Sequence, residues 1–226
     1  MESKKLIFID IDNTLLDFNA CAKEMMIKTS KEFNIVFPDN ILEIFLPINN
    51  ALWRKIEEGT LTLDGLHEIR WNQVFSALGI TGDGPAFEKR FKHHLFFSAI
   101  KVDGAKELLE YLSKKYVICA ASNGPYEQQE YRLTKSDLLP FIYKVFVSER
   151  ANCSKPSKEF FDYCFNNLKG FLAKDAIMIG DSVSADMIGA KEYGMKTCWF
   201  DYYKTGEKPE SADYTVSSLL DIKNIL

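Results

Sequence analysis

No apolar run in this sequence approaches the length of a membrane span, and the first one, Leu6 to Ile9, stops at Asp10, short of a secretory signal core. A soluble, cytoplasmic protein is expected, with no membrane partner. The cysteines Cys21, Cys119, Cys153, Cys164 and Cys198 are odd in number and form no C-x-x-C pair, which argues against a disulfide frame or zinc ribbon and for reduced, structural thiols. Basic residues are not concentrated anywhere: 28 Lys and Arg face 32 Asp and Glu, a net charge of -4 spread without a block or tail. A nucleic-acid polymer is therefore not an expected partner. Missing too are the G-x-x-x-x-G-K-[ST] phosphate loop, a G-x-G-x-x-G after a strand and a G-x-S-x-G elbow, which argues against ATP hydrolysis, NAD chemistry and serine hydrolysis. His67 and the pair His93-His94 lie among charged and aromatic residues and read as solvated or half-buried helix positions, not a metal site. The sequon Asn152-Cys153-Ser154 reads as chance.

What is present is enough apolar material for a core, 46% of 226 residues, with 13% aromatic. Lys5 to Ile9 reads as a buried strand that delivers polar residues at its carboxyl end. The pattern recurs at Tyr116 to Ala121 before Ser122-Asn123-Gly124, at Lys144 to Val147, and at Ala176 to Ile179 before Gly180-Asp181-Ser182. Helical spacing covers Gly104 to Lys114, Tyr126 to Ser136, Ser157 to Leu168 and Ser184 to Tyr193. Such alternation implies an α/β fold, a Rossmann-like parallel sheet whose strand ends bring Asp10, Ser122 and Asp181 into one crevice. Residues 17–98 break the alternation with helical patterns at Ala20 to Phe33, Asn40 to Glu58, Thr62 to Leu78 and Phe87 to Phe97, and read as an inserted α-helical cap domain. Gly59, Gly79 and Gly82-Asp83-Gly84-Pro85 read as its turns. The catalytic core is then residues 1–16 and 99–226.

In Asp10-Ile11-Asp12-Asn13-Thr14 two carboxylates follow a buried strand and face one way if the chain stays extended. Isolated, such a pair is as well explained by capping. A bound cation would relieve the repulsion and leave one acid to attack phosphorus and the other to move protons. Ser122-Asn123-Gly124 offers a hydroxyl, an amide and backbone N–H groups for phosphoryl oxygens, although a plain turn explains it too. Lys155-Pro156 stands before a helical pattern with Pro suited to the first helical position, and Lys155 is either a fixed charge for a phosphate or a surface residue. Asp181 adds a hard oxygen ligand, and Asp186 reads equally as a helix cap or a functional acid.

Taken in order, D-x-D-x-T at Asp10 to Thr14, Ser122, Lys155 and G-D-x-x-x-x-D at Gly180 to Asp186 resemble the motifs of haloacid dehalogenase superfamily phosphatases with a helical cap. Ser122 stands where many relatives have Thr. The resemblance implies a magnesium-dependent phosphomonoester hydrolase with Asp10 as nucleophile and Asp12 as acid/base. It further implies Mg2+ held by the Asp10 and Asp181 carboxylates and the Asp12 backbone carbonyl, Ser122, Asn123 and Lys155 as phosphate contacts, and Thr14 and Asp186 in support. Asn50-Ala51-Leu52-Trp53, Glu58-Gly59-Thr60, Thr197-Cys198-Trp199 and Thr215 to Leu219 look like bacterial pyrimidine nucleotidases, which implies a small phosphorylated partner, a pyrimidine or noncanonical nucleoside monophosphate. Phe18 and Trp53 are then candidates for stacking a base, or packing residues. The alternatives are a sugar-phosphate or other small-metabolite phosphatase, a phosphomutase, a carbon-halogen hydrolase or a non-catalytic binding module. A monomer is the default expectation.

Overall fold

The computed structural model describes residues 5–226. In chain order it contains β1 (Leu6–Ile9), α1 (Phe18–Glu32), α2 (Ile41–Glu57), α3 (Leu63–Leu78), α4 (Gly84–Phe96), α5 (Ala105–Leu112), β2 (Val117–Ser122) and α6 (Tyr126–Lys135). There follow β3 (Lys144–Val147), α7 (Ser148–Ala151), α8 (Lys158–Asn166), β4 (Ala176–Gly180), a π-helical turn over Val183–Ile188, α9 (Gly189–Glu192), β5 (Lys196–Phe200) and β6 (Tyr214–Val216). The chain divides into two compact units, Phe18–Ser98 and the remainder, Met1–Asp17 with Ala99–Leu226. Among the described residues no helix is long and apolar enough to cross a membrane.

The larger unit is a parallel sheet of six strands in the order β3-β2-β1-β4-β5-β6. This is the α/β architecture expected. Alternation along β1 explains why its sequence is apolar throughout: Ile7 and Ile9 pack on one face with Leu108, Leu112 and Leu133, and Leu6 and Phe8 on the other with Phe160, Phe161 and Met178. A sheet covered on both faces has no wet side for polar residues to occupy. Strand order reverses between β1 and β4, so their carboxyl ends flank the crevice where ligands of open α/β sheets sit.

Two strands escaped sequence inspection, β5 and β6. β5 has only its first residue, Lys196, exposed, and β6 is three residues long with two exposed, too short to display a period. The predicted helix from Ser184 to Tyr193 opens instead as the π-helical turn, in which the Met187 N–H reaches the Ser182 carbonyl five residues back at 3.2 Å.

The smaller unit is four helices around an aromatic core. Trp71 sits fully buried among Phe45, Phe75, Phe87 and Phe91, with the Phe87 ring centroid 4.2 Å away. Gly82 to Pro85 is not simply a turn: Asp83 caps α4 by accepting from the Ala86 N–H at 2.9 Å, and Gly84 and Pro85 are its first residues. The first turn of a helix needs no N–H from Pro, which is why the segment can be helical. His94, expected to be solvated or half-buried, is buried and paired with Glu32 at 2.6 Å. Phe18 packs against the helical core and Trp53 is half-buried.

Inside this unit Arg70 and Glu88 form a buried two-pronged ion pair at 2.6 and 3.1 Å, with Asn49 accepting from the third Arg70 nitrogen at 2.9 Å. Burial pushes the Glu88 carboxyl up despite Arg70 beside it. Arg70→Met is expected to destabilise the unit by about 3–5 kcal/mol because Glu88 is left buried without a partner, whereas Arg70→Met with Glu88→Leu recovers most of that loss. Urea unfolding followed by tryptophan fluorescence checks this; equal destabilisation by the single and double variants would contradict it.

Candidate active site

The polar cluster begins where β1 runs out. The Asp10 N–H donates to the Ile179 carbonyl at 2.9 Å, carrying the β1–β4 ladder one residue past the strand. The chain then turns tightly, with the Leu15 and Leu16 N–H groups both donating to the Ile11 carbonyl at 2.9 and 2.8 Å and Asn13 at a φ of 57°. A left-handed residue suits Asn, whose short side chain tolerates it. The segment is therefore not extended, and the two acids part company.

Asp10 meets Lys155, whose ammonium donates to Asp10 Oδ1 at 2.6 Å, Asp186 Oδ1 at 2.6 Å and the Ala121 carbonyl at 2.7 Å. Lys155 is 2% exposed and Asp186 0%, so the surface-lysine and plain helix-cap readings both fail. Three acceptors use all three ammonium protons. Lys155 was expected to contact phosphate directly; in this structure it has no donor left for that, and it acts through its charge and by holding Asp10. Nor does Pro156 begin a helix: Ser157 is the cap and Lys158 the first residue of α8.

Asn123 is revised for a similar reason. Its amide accepts from the Lys155 N–H at 2.9 Å and donates to the Lys155 carbonyl at 3.0 Å. The side chain clamps the Lys155 backbone instead of reaching for a phosphoryl oxygen. Ser122 is buried, its Oγ accepting from the Gly124 N–H at 3.0 Å and from Gln129 Nε2 at 2.9 Å, which leaves its O–H to donate.

On the β4 side, Asp181 is partly exposed and accepts from Thr14 Oγ1 at 3.4 Å, and the Asp181 carbonyl accepts from the Trp199 indole N–H at 2.7 Å. Trp199 is thereby a core residue that also anchors the loop. Asp186 turns back to accept from the Ser182 N–H at 3.1 Å. Only glycine serves at position 180, because a Cβ there would lie 2.1 Å from Asp186 Oδ2.

Ligand oxygens of Asp10, Asp181 and Asp186 all lie within 4.8 Å of one another. The Asp12 side chain is not in this group, and Asp186, expected in support, is. Among the described residues Lys155 is the cation bonded within this group, to Asp10 and Asp186, and the crowding shows in the acidity of Asp10 and Asp181. Burial pushes the Asp10 carboxyl up to about 7, Lys155 pulling against it and Asp186 adding to it. Burial, then the charges of Asp10 and Asp186, raise Asp181 as well. Burial alone would lower Lys155, but Asp10 and Asp186 outweigh it and raise its pKa. Crowded hard oxygen donors, three carboxylates beside one ammonium among the described residues, fit a divalent cation such as Mg2+.

Asp12 is held from α6 instead. Arg132 Nη1 donates to Asp12 Oδ1 at 2.7 Å and Gln129 Nε2 to Asp12 Oδ2 at 2.6 Å. Both partners escaped sequence inspection. A signal was available: Tyr126 to Lys135 is polar almost throughout, so the face it buries had to carry Gln129 and Arg132 with Leu133.

A six-stranded parallel sheet with acids at both lips of its switch point and a buried lysine between them defines an α/β protein with a polar ligand crevice at the carboxyl ends of its strands. A family model described as haloacid dehalogenase-like hydrolase matches residues 6–200, and the chain belongs to that family. It is 31% identical over 227 residues to the HAD-hydrolase YfnB of Bacillus subtilis, covering 100% of this chain and 97% of that protein. The crystal structure of YfnB bound to magnesium superimposes with a TM-score of 0.92 at 30% identity, covering 100% of this chain and 99% of that one. The pyrimidine 5'-nucleotidase PynA of Streptococcus pneumoniae is 31% identical over 229 residues, covering 98% and 97%. The glyceraldehyde 3-phosphate phosphatase of Pyrococcus furiosus is 28% identical, covering 100% and 94%.

Proposed function

We propose that this chain is a magnesium-dependent phosphomonoester hydrolase, a 5'-nucleotidase acting on pyrimidine or noncanonical nucleoside monophosphates in the cytoplasm, and that residues 17–98 serve as its cap. The observation that carries the reading is the placement of Asp10: at the end of β1, held by Lys155 on one oxygen and within reach of the Asp181 carboxylate. Full-length similarity to PynA supports the nucleotide, and the second similarity, to a triose-phosphate phosphatase, keeps sugar phosphates as the competing substrates.

In this mechanism an Asp10 carboxylate oxygen attacks phosphorus, the P–O bond to the leaving group breaks, and Asp12 gives its proton to the departing oxygen. Water then attacks the aspartyl-phosphate, Asp12 takes the water proton, and phosphate and free Asp10 are restored. Lys155, its backbone clamped by Asn123, holds Asp10 in line, and Ser122 donates to a phosphoryl oxygen. Mg2+, held by Asp10 and Asp181 with the Asp12 carbonyl, supplies charge for the phosphoryl oxygens when bound.

The test is phosphate release from a panel of nucleoside monophosphates and sugar phosphates, in magnesium and in chelator. Pyrimidine nucleotides are expected to give the highest kcat/KM, with activity lost in chelator. Preference for a triose phosphate would replace the nucleotide reading, and halide release from a haloacid without phosphatase activity would overturn the whole.

A further inference from the structure

Asp12 has to meet two demands, a fixed direction and an exchangeable proton, and its surroundings on α6 address the first. Arg132 is fully buried, with Nη1 bonded both to Asp12 Oδ1 at 2.7 Å and to Gln129 Oε1 at 2.9 Å. Gln129, equally buried, gives one amide proton to Asp12 Oδ2 at 2.6 Å and the other to Ser122 Oγ at 2.9 Å. The four side chains close into one network that runs from the acid/base to the hydroxyl beside the phosphate position. A buried guanidinium and a buried amide are costly to place, and such groups are kept where their bonds are made.

Fixing both oxygens of Asp12 fixes both its side-chain torsions. A carboxylate has about four lone-pair directions, and these two donors take two of them. Capacity on each oxygen remains for the proton it must exchange. The Asp12 side chain keeps 31% of its surface exposed while Arg132 keeps none, so the donors come from the protein side and the open side faces away from them.

We infer that Gln129 and Arg132 are positioning residues for proton transfer, aiming Asp12 at the leaving-group oxygen and tying that aim to Ser122. This rests on the reading of Asp12 as the acid/base. In the step concerned, the Asp10–P bond forms, the P–O bond to the leaving group breaks with its electron pair going to oxygen, and the Asp12 proton passes to that oxygen. An alcohol needs that proton. A nitrophenol, stable as its anion, does not.

The experiment compares kcat/KM for benzyl phosphate and p-nitrophenyl phosphate in the full-length wild type, Gln129→Met, Arg132→Met and Arg132→Lys. Because kcat/KM extends only to the first irreversible step, the later hydrolysis of the aspartyl-phosphate drops out of the comparison. General acid catalysis is worth about 10²–10⁴-fold, and losing its aim is expected to shift the ratio about ten- to a hundredfold against benzyl phosphate in both Met variants. Arg132→Lys, which keeps a charged donor, is expected to recover most of the ratio. Equal losses on the two esters, or a gain on benzyl phosphate, would overturn the inference while leaving the phosphatase reading intact. A wild type that releases phosphate from neither ester overturns both. Should Arg132→Met not fold, Gln129→Met decides by the same ratio.

Discussion

Asp10→Asn is expected to lower phosphate release on the order of 10⁴-fold or more, the scale on which enzymes lose activity when a covalent nucleophile is removed. An amide does not attack phosphorus, and nothing in the cluster replaces it: Asp186 is tied to Lys155 and the Ser182 N–H, and Asp181 lies beyond the β4 end. Asp12→Asn, which spares the nucleophile, is expected to cost about 10²–10⁴-fold. The same Asp10 variant has a second, opposite effect. Because the folded protein raises the Asp10 carboxyl from 3.8 to about 7, it binds a proton that the unfolded chain has already lost across that interval. The stability this contributes is fully present below the lower value and is lost as pH rises through the upper one. Without divalent cations the wild type should therefore lose stability between about pH 4 and pH 7, and Asp10→Asn should lose less. Thermal unfolding in chelator across that range, beside an activity assay in magnesium, separates the effects; a variant as active as wild type would end the covalent mechanism.

Lys155→Met is expected to be the most damaging change to the fold of the larger unit. Among the described residues its ammonium is the one cation paired within this group, bonded to Asp10 and Asp186, and Met fills the same volume with no charge. Breaking a buried ion pair on one side costs about 3–5 kcal/mol because the remaining charge has no partner, and here two carboxylates lose theirs together. The cost depends on pH in a definite sense. With the ammonium gone, only burial and like charge act on Asp10, both raising its pKa, so that carboxyl escapes by taking up a proton. In acid that escape is open and the destabilisation is small; the cost grows as pH rises through the wild-type Asp10 value of about 7 toward the higher value the carboxyl takes in the variant. Urea unfolding in chelator on both sides of that value is the check. Equal destabilisation at the two pH values would show that Lys155 acts by packing and not by charge.

Much of the fold was legible because its central strands are buried on both faces. A strand such as Leu6–Ile9 has no polar position to blur it, and Lys144–Val147 appears at its true limits. β6 did not, since in three residues with two exposed the period of a strand cannot be told from loop. The four helices of the smaller unit were legible from spacing, but the start of α4 was not, because Gly and Pro punctuate a turn and open a helix equally well once Asp83 caps it. For the candidate site, the residue types and their places after strands were legible at Asp10, Ser122 and Asp181. Partners were not. Nothing at Lys155 itself distinguishes a surface lysine from one with every proton bonded.

The sequence by itself determined that strands alternate with helices, that acids stand at the strand ends, and that the chain resembles hydrolases built on an aspartate nucleophile. These follow from local order: periodicity and motif are properties of neighbours in the chain. Only the tertiary structure decided that Asp186 joins Asp10 and Asp181, that Lys155 holds Asp10 while Asn123 clamps the Lys155 backbone, and that Asp12 is held by Gln129 and Arg132. These contacts join distant segments, with Asp10 and Lys155 145 residues apart, Asp12 and Gln129 117, and Asp12 and Arg132 120. A carboxylate is the same group in a cap, a metal site or a nucleophile, and which of these it becomes depends on the charges and donors that folding brings within about 3 Å of it.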